Sequence, residues 1–232
     1  RGVSNAQKKV EERNFAMRKH LLEYDDVLNQ QREIIYDLRN KALLSDSIKD
    51  TINEFIEDFI FDIIGDLDFR QVKEWDWQSI NQQINSNLMV NIEVGEIESL
   101  ESLDELIDHI NEEALKYYKL KEDVIPSELL RKVEKFIVLK TIDEKWRNHL
   151  LGMDQLREGI GLRAYGQKNP LIEYKSESYN FFQELMISLR STVIQRVFHA
   201  QVSDQAQTQQ NPLQKNIQLQ HDEVAKSNSN EI

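Results

Sequence analysis

The sequence predicts an all-α protein: one long helix, a small helical subdomain, an antiparallel two-helix hairpin and a disordered tail. Three observations carry that prediction. The 232 residues include only seven glycines and three prolines, well below the roughly 7 % and 5 % of ordinary composition, so helix breakers are scarce. Neither residue occurs between Gly2 and Gly65. Apolar residues recur at three-, four- and seven-residue intervals through most of the chain, which is the spacing of one helix face.

The first element opens at Ser4-Asn5-Ala6-Gln7, which reads as a capping box: the serine oxygen accepts a backbone N–H while Gln7 reaches back. Val10, Met17 and Tyr24, and then Leu21, Leu28, Ile35 and Ala42, keep one seam facing a partner. A helix from Asn5 to Leu43 extends roughly 58 Å at 1.5 Å per residue. It cannot bury its own stripe and needs other elements around it.

Ser45 to Ser47 breaks that pattern, and Ser47 offers a new cap with Asp50 three residues on. Ile48, Ile52, Phe55, Ile56, Phe59, Ile60, Ile63 and Ile64 follow at helical spacing until Gly65 stops the run. Trp75 and Trp77 introduce a shorter helix to Leu88, and residues 89–98 read as a loop or short extended piece. Ser102 with Glu105 caps a helix to Lys121. These pieces are expected to pack around Phe55, Phe59, Trp75, Trp77, Leu103 and Leu106.

Pro126-Ser127 opens the hairpin. Val133, Phe136, Leu139, Ile142, Trp146, Leu150, Met153, Leu156 and Ile160 line one face, and Gly159 and Gly161 end that helix. Pro170 starts the returning helix, whose face is Tyr174, Phe181, Leu185, Leu189, Val193 and Val197. Beyond Val202 the chain is rich in Gln and Asn and reads as disordered.

Composition narrows the function. The net charge of −12 is concentrated in residues 46–125, which hold 21 acidic and 6 basic side chains. Such a segment repels phosphate backbones, so nucleic-acid binding is not expected. The absence of cysteine excludes disulfides, thiolate zinc and a cysteine nucleophile, and fits a reducing compartment. The longest apolar runs, such as Phe136 to Leu139, are too short to span a membrane. No charged-then-apolar signal peptide is present, and the opening Arg1-Gly2-Val3 reads as part of something longer.

No phosphate-binding glycine loop or nucleophile-elbow motif occurs. The five histidines are scattered, so no metal site is expected. Glu23, Asp25 and Asp26 around Tyr24 could hold Mg²⁺ or meet a moving domain, but read better as exposed helix charges. Trp146 and His149 read as a packed tryptophan beside a hydrogen-bonded histidine. No catalytic residue is expected. The segment that stands out is the hairpin tip, Arg157 to Pro170, where Tyr165 lies among cations and glycines. One reading makes the ring an exposed face able to grip many partners. The other folds Leu162 and Tyr165 back to plug the hairpin end.

Several motifs go further: Ala6-Gln7-Lys8-Lys9-Val10-Glu11, Arg13-Asn14-Phe15, and Leu21-Leu22-Glu23-Tyr24-Asp25-Asp26-Val27-Leu28-Asn29-Gln30-Gln31-Arg32. To these the hairpin adds Trp146 with His149-Leu150, Met153-Asp154-Gln155-Leu156-Arg157, Gly159-Ile160-Gly161-Leu162-Arg163, Tyr165, Gln167-Lys168-Asn169-Pro170 and Glu173-Tyr174-Lys175. Through them the chain resembles the C-terminal part of the SecA family, the ATP-driven motors of bacterial preprotein translocation. The resemblance implies that residues 1–44 form the long helix of a helical scaffold domain. Residues 45–125 would be a helical wing and 126–202 a two-helix finger, followed by a disordered tail at 203–232.

The resemblance also implies that the finger tip enters the cytoplasmic mouth of the SecY channel. There the aromatic at Tyr165 would contact the moving preprotein, with Leu162, Arg163, Gln167 and Lys168 beside it. The first finger helix would restrain ATP turnover by the nucleotide-binding domains. The resemblance does not cover those domains or the preprotein-crosslinking domain, so no cofactor is expected here. ATP and Mg²⁺ would bind elsewhere in a longer polypeptide. The implied partners are the SecY channel complex, preproteins, those nucleotide-binding domains and an acidic phospholipid surface. The implied location is the bacterial cytoplasm, at the cytoplasmic face of the inner membrane. The family's zinc tail, which binds the chaperone SecB, needs cysteines that this chain lacks. The alternative is a free-standing helical scaffold that only binds partners.

Overall fold

Between Gly2 and Gly65, where the sequence has neither glycine nor proline, the backbone is helical except for a break at 45–48. A computed structural model describes residues 2–65, 67, 75–92, 102–166 and 169–201. Among them lie α1 (Gly2–Leu44), α2 (Lys49–Ile64), α3 (Trp77–Leu88), α4 (Leu103–Val124), α5 (Ser127–Ile160) and α6 (Pro170–His199), with no strand. A 3-10 turn, Gly161–Gly166, follows α5. The expected disordered tail at 203–232 and residues 93–98 of the expected extended piece lie outside the described residues. Contacts group residues 1–199 into one unit and 200–232 into another.

α5 and α6 form the antiparallel hairpin. His149 lies beside Phe182, Lys145 Nζ donates to Ser188 Oγ, and Arg196 donates to Thr141 Oγ1, so numbers rise on one helix as they fall on the other. α1 lies against both. Tyr24 meets Tyr174, Gln31 meets Ser178 and Arg39 meets Asp143, which makes α1 parallel to α6 and antiparallel to α5. α2 and α3 pack on α6. Arg190 pairs with Asp62 at 2.7 Å, Ser191 donates to Asn87, and His199 meets the Ser86 carbonyl. The main core runs without a break from Ile52, Phe55 and Ile56 of α2 to Leu189, Val193 and Ile194 of α6. The acidic segment thus shares its core with the hairpin.

The starts and stops follow local chemistry in part. Ser102 Oγ accepts the Glu105 N–H at 3.2 Å, as the sequence predicts. The Ser4 capping box does not form, because α1 already runs from Gly2 and Ser4 lies inside it. Ser47 Oγ accepts the Lys49 N–H at 3.3 Å, but the residue in the cap position is Ile48, which supplies no side-chain bond. Gly65 ends α2 in right-handed geometry, without the left-handed turn that favours glycine. That turn occurs instead at Met89, with φ of 56°, after α3.

Three apolar faces depart from expectation. On α1, Tyr24, Ile35 and Ala42 are buried, whereas Val10, Met17 and Leu21 are exposed because no described element reaches the first half of the helix. On α5, Phe136 is 63 % exposed, with the Lys140 ammonium 5.7 Å from its ring centroid. Leu130, Glu134, Val138 and Thr141 are buried in the first half of α5, whereas Ile142, Trp146, Met153 and Ile160 further along are buried where the spacing puts them. On α6, Phe182 is buried and Phe181 is not. A Cβ on Gly152 would stand 2.6 Å from Phe181 Cε1, so this glycine admits the ring against α5. In the acidic segment Phe55, Phe59 and Leu106 are buried as expected, while Trp75, Trp77 and Leu103 are only partly covered.

The first half of α5 buries a polar group. Glu134 is fully buried and accepts the Tyr118 hydroxyl and the Arg131 guanidinium, each at 2.7 Å. Arg131 also binds Glu122, which takes Lys49 at 2.7 Å. Burial pushes the Glu134 carboxyl and the Tyr118 phenol up from their ordinary values. This chain of bonds joins α2, α4 and α5. One turn away, Lys121 donates to the Phe198 carbonyl at 2.9 Å and so serves the C-terminal end of α6.

Candidate functional site

The tip grows directly from the end of α5. The helix runs through Gly159 and stops at Ile160, where the chain tightens into the 3-10 turn. A Cβ on Gly159 or Gly161 would meet nothing within 4 Å, so neither glycine is required by packing. Asn169 Oδ1 accepts the Leu171 N–H at 3.0 Å, and Pro170 takes the first helical position of α6.

Of the five tip residues singled out from sequence, two have described side chains. Leu162 is 69 % exposed, which removes it from the plugging role. Arg163 spans the hairpin to Glu177 Oε1 at 2.7 Å. The two rim a shallow groove with Gln155, Leu156, Gly159 and Ile160. The backbone of Tyr165 lies within the 3-10 turn, and the residue's side chain is outside the description. Gln167 and Lys168 lie outside the described residues.

The hairpin end is closed from beneath by Ile160, Met153 and Tyr174, with Tyr24 of α1. The rings of Tyr24 and Tyr174 lie 4.8 Å apart at 51°. Burial pushes the Tyr174 phenol above its ordinary range. Asp25 pairs with Arg157 at 2.8 Å, fastening α1 to α5 just below the tip. Glu23 and Asp26 face a different groove, with Val27, Gln30, Lys175 and Tyr179. The three carboxylates therefore do not converge. Among the described residues no group of three or more histidines and carboxylates could hold a metal ion.

About a third of the way down the hairpin from its tip lies a buried polar contact that joins three helices. His149 Nε2 is 2.8 Å from Gln31 Oε1, and Gln31 Nε2 donates to the Ser178 carbonyl at 3.0 Å. The imidazole stacks on Trp146 with centroids 5.3 Å apart and meets Phe182 edge-on. The expected packing of tryptophan with a bonded histidine is what is observed. Its partner, Gln31, lies 118 positions away, and local spacing does not reveal it.

Burial lowers the His149 pKa from 6.5 to about 4. The unfolded chain therefore binds a proton that the folded chain refuses. Stability is full above about pH 6.5, falls as pH drops, and levels off below about 4. The full loss is about 3 kcal/mol at 1.36 kcal/mol per pKa unit. Urea titrations from pH 7 to 4 should show this slope in the native chain and a flatter one in His149→Gln. Equal slopes would mean that His149 titrates alike in the folded and unfolded chain.

Comparison with known proteins bears on this arrangement of long helix, acidic segment and hairpin. A family described as the SecA Wing and Scaffold domain matches residues 1–201. The chain belongs to that family. It is 39 % identical over 208 residues to the protein translocase subunit SecA of Thermodesulfovibrio yellowstonii, covering 89 % of this chain and 23 % of that protein. It is 41 % identical over 227 residues to the SecA of Prosthecochloris aestuarii, covering 97 % of this chain and 22 % of the relative. The SecA of Chlorobium phaeovibrioides is 37 % identical over 233 residues, with 97 % and 22 % covered. This SecA wing and scaffold chain thus spans less than a quarter of the length of these relatives. All of its described helices fall within the matched residues, so the tip, the Gln31 contact and the Glu134 node are features of one SecA region.

Proposed function

We propose that this chain is the lever and finger of an ATP-driven protein translocase. In this reading residues 1–44 are the scaffold helix, 45–125 the wing and 126–202 the two-helix finger. The tip, with Tyr165, Leu162, Arg163, Gln167 and Lys168, touches a preprotein in the mouth of the SecY channel. The carrying observation is the exposed tip: Leu162 stands in solvent while Ile160 and Tyr174 already close the hairpin end. A rigid rod that ends in an uncommitted apolar side chain is suited to contact something beyond itself. The exposed first half of α1, with Val10, Phe15, Met17 and Leu21, supports docking on the nucleotide-binding domains of the same polypeptide. ATP and Mg²⁺ would be bound by those domains. The place of work would be the cytoplasmic face of the inner membrane. Among the described residues no helix is long and apolar enough to cross a membrane.

The test is a photocrosslinker placed at Leu162, at Tyr165 or at Phe136 in the full-length protein. Phe136 is exposed but about 36 Å from Ile160 along α5. Adducts with a translocating chain should form from the two tip positions during ATP turnover, and not from Phe136. Equal labelling from all three would return the hairpin to a binding scaffold without a working end. The isolated chain should release no phosphate from ATP above buffer, because it carries no phosphate-binding loop. Measurable turnover by the pure chain would contradict the division of labour proposed here.

A further inference from the structure

We infer that Gln31 is a positioning residue that sets the register of the hairpin on the long helix by holding α5 and α6 at once. The inference rests on geometry alone and holds whatever the tip touches. Gln31 is buried on the inward stripe of α1, between Tyr24 and Leu28 on one side and Ile35 and Ala42 on the other. An apolar residue there would pack as well and tolerate sliding. A buried amide tolerates neither a missing partner nor a shifted one, which is why a single polar residue in an apolar helical seam specifies register.

Both ends of the amide are in use, and each end fixes the next bond. The Ser178 carbonyl can only accept, so the Gln31 NH₂ must face it at 3.0 Å. Gln31 Oε1 then faces His149 Nε2 at 2.8 Å, so that nitrogen must carry the proton. The imidazole cannot turn away, because Trp146, Phe181 and Phe182 surround it with centroids at 5.3, 6.3 and 5.9 Å. One side chain of α1 is therefore bonded to a ring of α5 and to the backbone of α6. Other polar ties between α1 and the hairpin, Asp25–Arg157 and Arg39–Asp143, reach α5 and are solvent-exposed, so they constrain little. A displacement of α1 is carried to both hairpin helices together through Gln31.

The chain has no cysteine, so pairs of spin labels can be placed without background. Asp37 of α1, Asn148 of α5 and Gln183 of α6 are exposed sites for them. In the native chain all three pairwise distance distributions should be narrow. Gln31→Met removes both bonds and should broaden the α1–α5 and α1–α6 distances while the α5–α6 distance stays narrow. Gln31→Glu, ionised at pH 8, keeps an acceptor for His149 but has no donor for the Ser178 carbonyl, so only α1–α6 should broaden there. Narrow distributions throughout in both variants would overturn the inference. Should either variant fail to fold, nitrogen NMR of His149 in the native chain still decides. A slowly exchanging proton on Nε2 is required, and a proton on Nδ1 instead would overturn the assignment.

Discussion

Ile35→Asp should destabilise the chain by about 5 kcal/mol, enough to leave many domains largely unfolded. Ile35 has no exposed surface and belongs to the main core. Removing a buried isoleucine side chain costs about 2–5 kcal/mol. The new carboxylate adds the penalty of an unpaired buried charge, several kcal/mol on the scale of about 3–5 for a broken buried pair. Arg39, one turn along α1, is partly exposed and shares its charge with Asp143 at 3.0 Å, so it offsets little of that cost. Ile34→Asp is the control: the neighbouring residue is 50 % exposed, and its change should stay within about 0.5 kcal/mol. Thermal melts of the two variants compare them directly. Equal melting temperatures would show that the inward face of α1 is not the one described.

The contrast between these neighbours shows what pattern can disclose. Period fixes the inward face wherever a partner helix lies alongside, which is why Tyr24, Leu28, Ile35 and Ala42 are found where seven-residue spacing puts them. It fails where the partner is missing: Val10, Met17 and Leu21 continue the same spacing into a stretch that no described element covers. It fails again where burial is polar. On the first half of α5, Val133 is half-buried and Phe136 exposed while Glu134 takes the buried position, because Tyr118 and Arg131 make a carboxylate the better occupant of the core. No apolar scale rewards Glu134.

Gln31 lies between these cases. Tyr24, Leu28, Gln31, Ile35 and Ala42 follow the alternating four- and three-residue spacing of a helix seam, with a residue omitted between the last two. A glutamine inside that row is a visible signal, since an amide is retained in a seam only where it has partners. What the sequence withholds is their identity, because Ser178 is 147 positions away. The tip is legible for another reason. Glycines, a tyrosine and cations at the end of two apolar stripes mark a turn that packing does not explain. Leu162 in solvent and the closure by Ile160 and Tyr174 agree with that reading, whereas the plug that the other reading assigns to Leu162 is made by other residues.

Tyr165→Ala is the change with the largest expected effect on activity. The two readings of this residue differ in sign on separate measurements. A plugging ring would be buried, and its loss should cost roughly 3 kcal/mol of stability. An exposed ring should cost within about 0.5 kcal/mol. The hairpin end is sealed by Ile160, Met153, Tyr174 and Tyr24, and a Cβ at Gly159 or Gly161 has open space around it, so the turn offers a poor bed for a further aromatic. Stability should therefore hold. In the full-length protein, losing an aromatic contact of hot-spot quality costs about 2 kcal/mol, roughly a thirtyfold loss of productive engagement. Preprotein transport should fall by that order while basal ATP hydrolysis persists, since the proposed chemistry lies in other domains. Tyr165→Phe and Tyr165→Trp keep a broad flat face and should retain more transport than alanine. Transport assays, ATPase assays and melts on the four proteins separate the alternatives. Normal transport by Tyr165→Ala, together with a clear fall in melting temperature, would make Tyr165 a structural plug and leave the exposed Leu162 as the residue on which any gripping tip must depend.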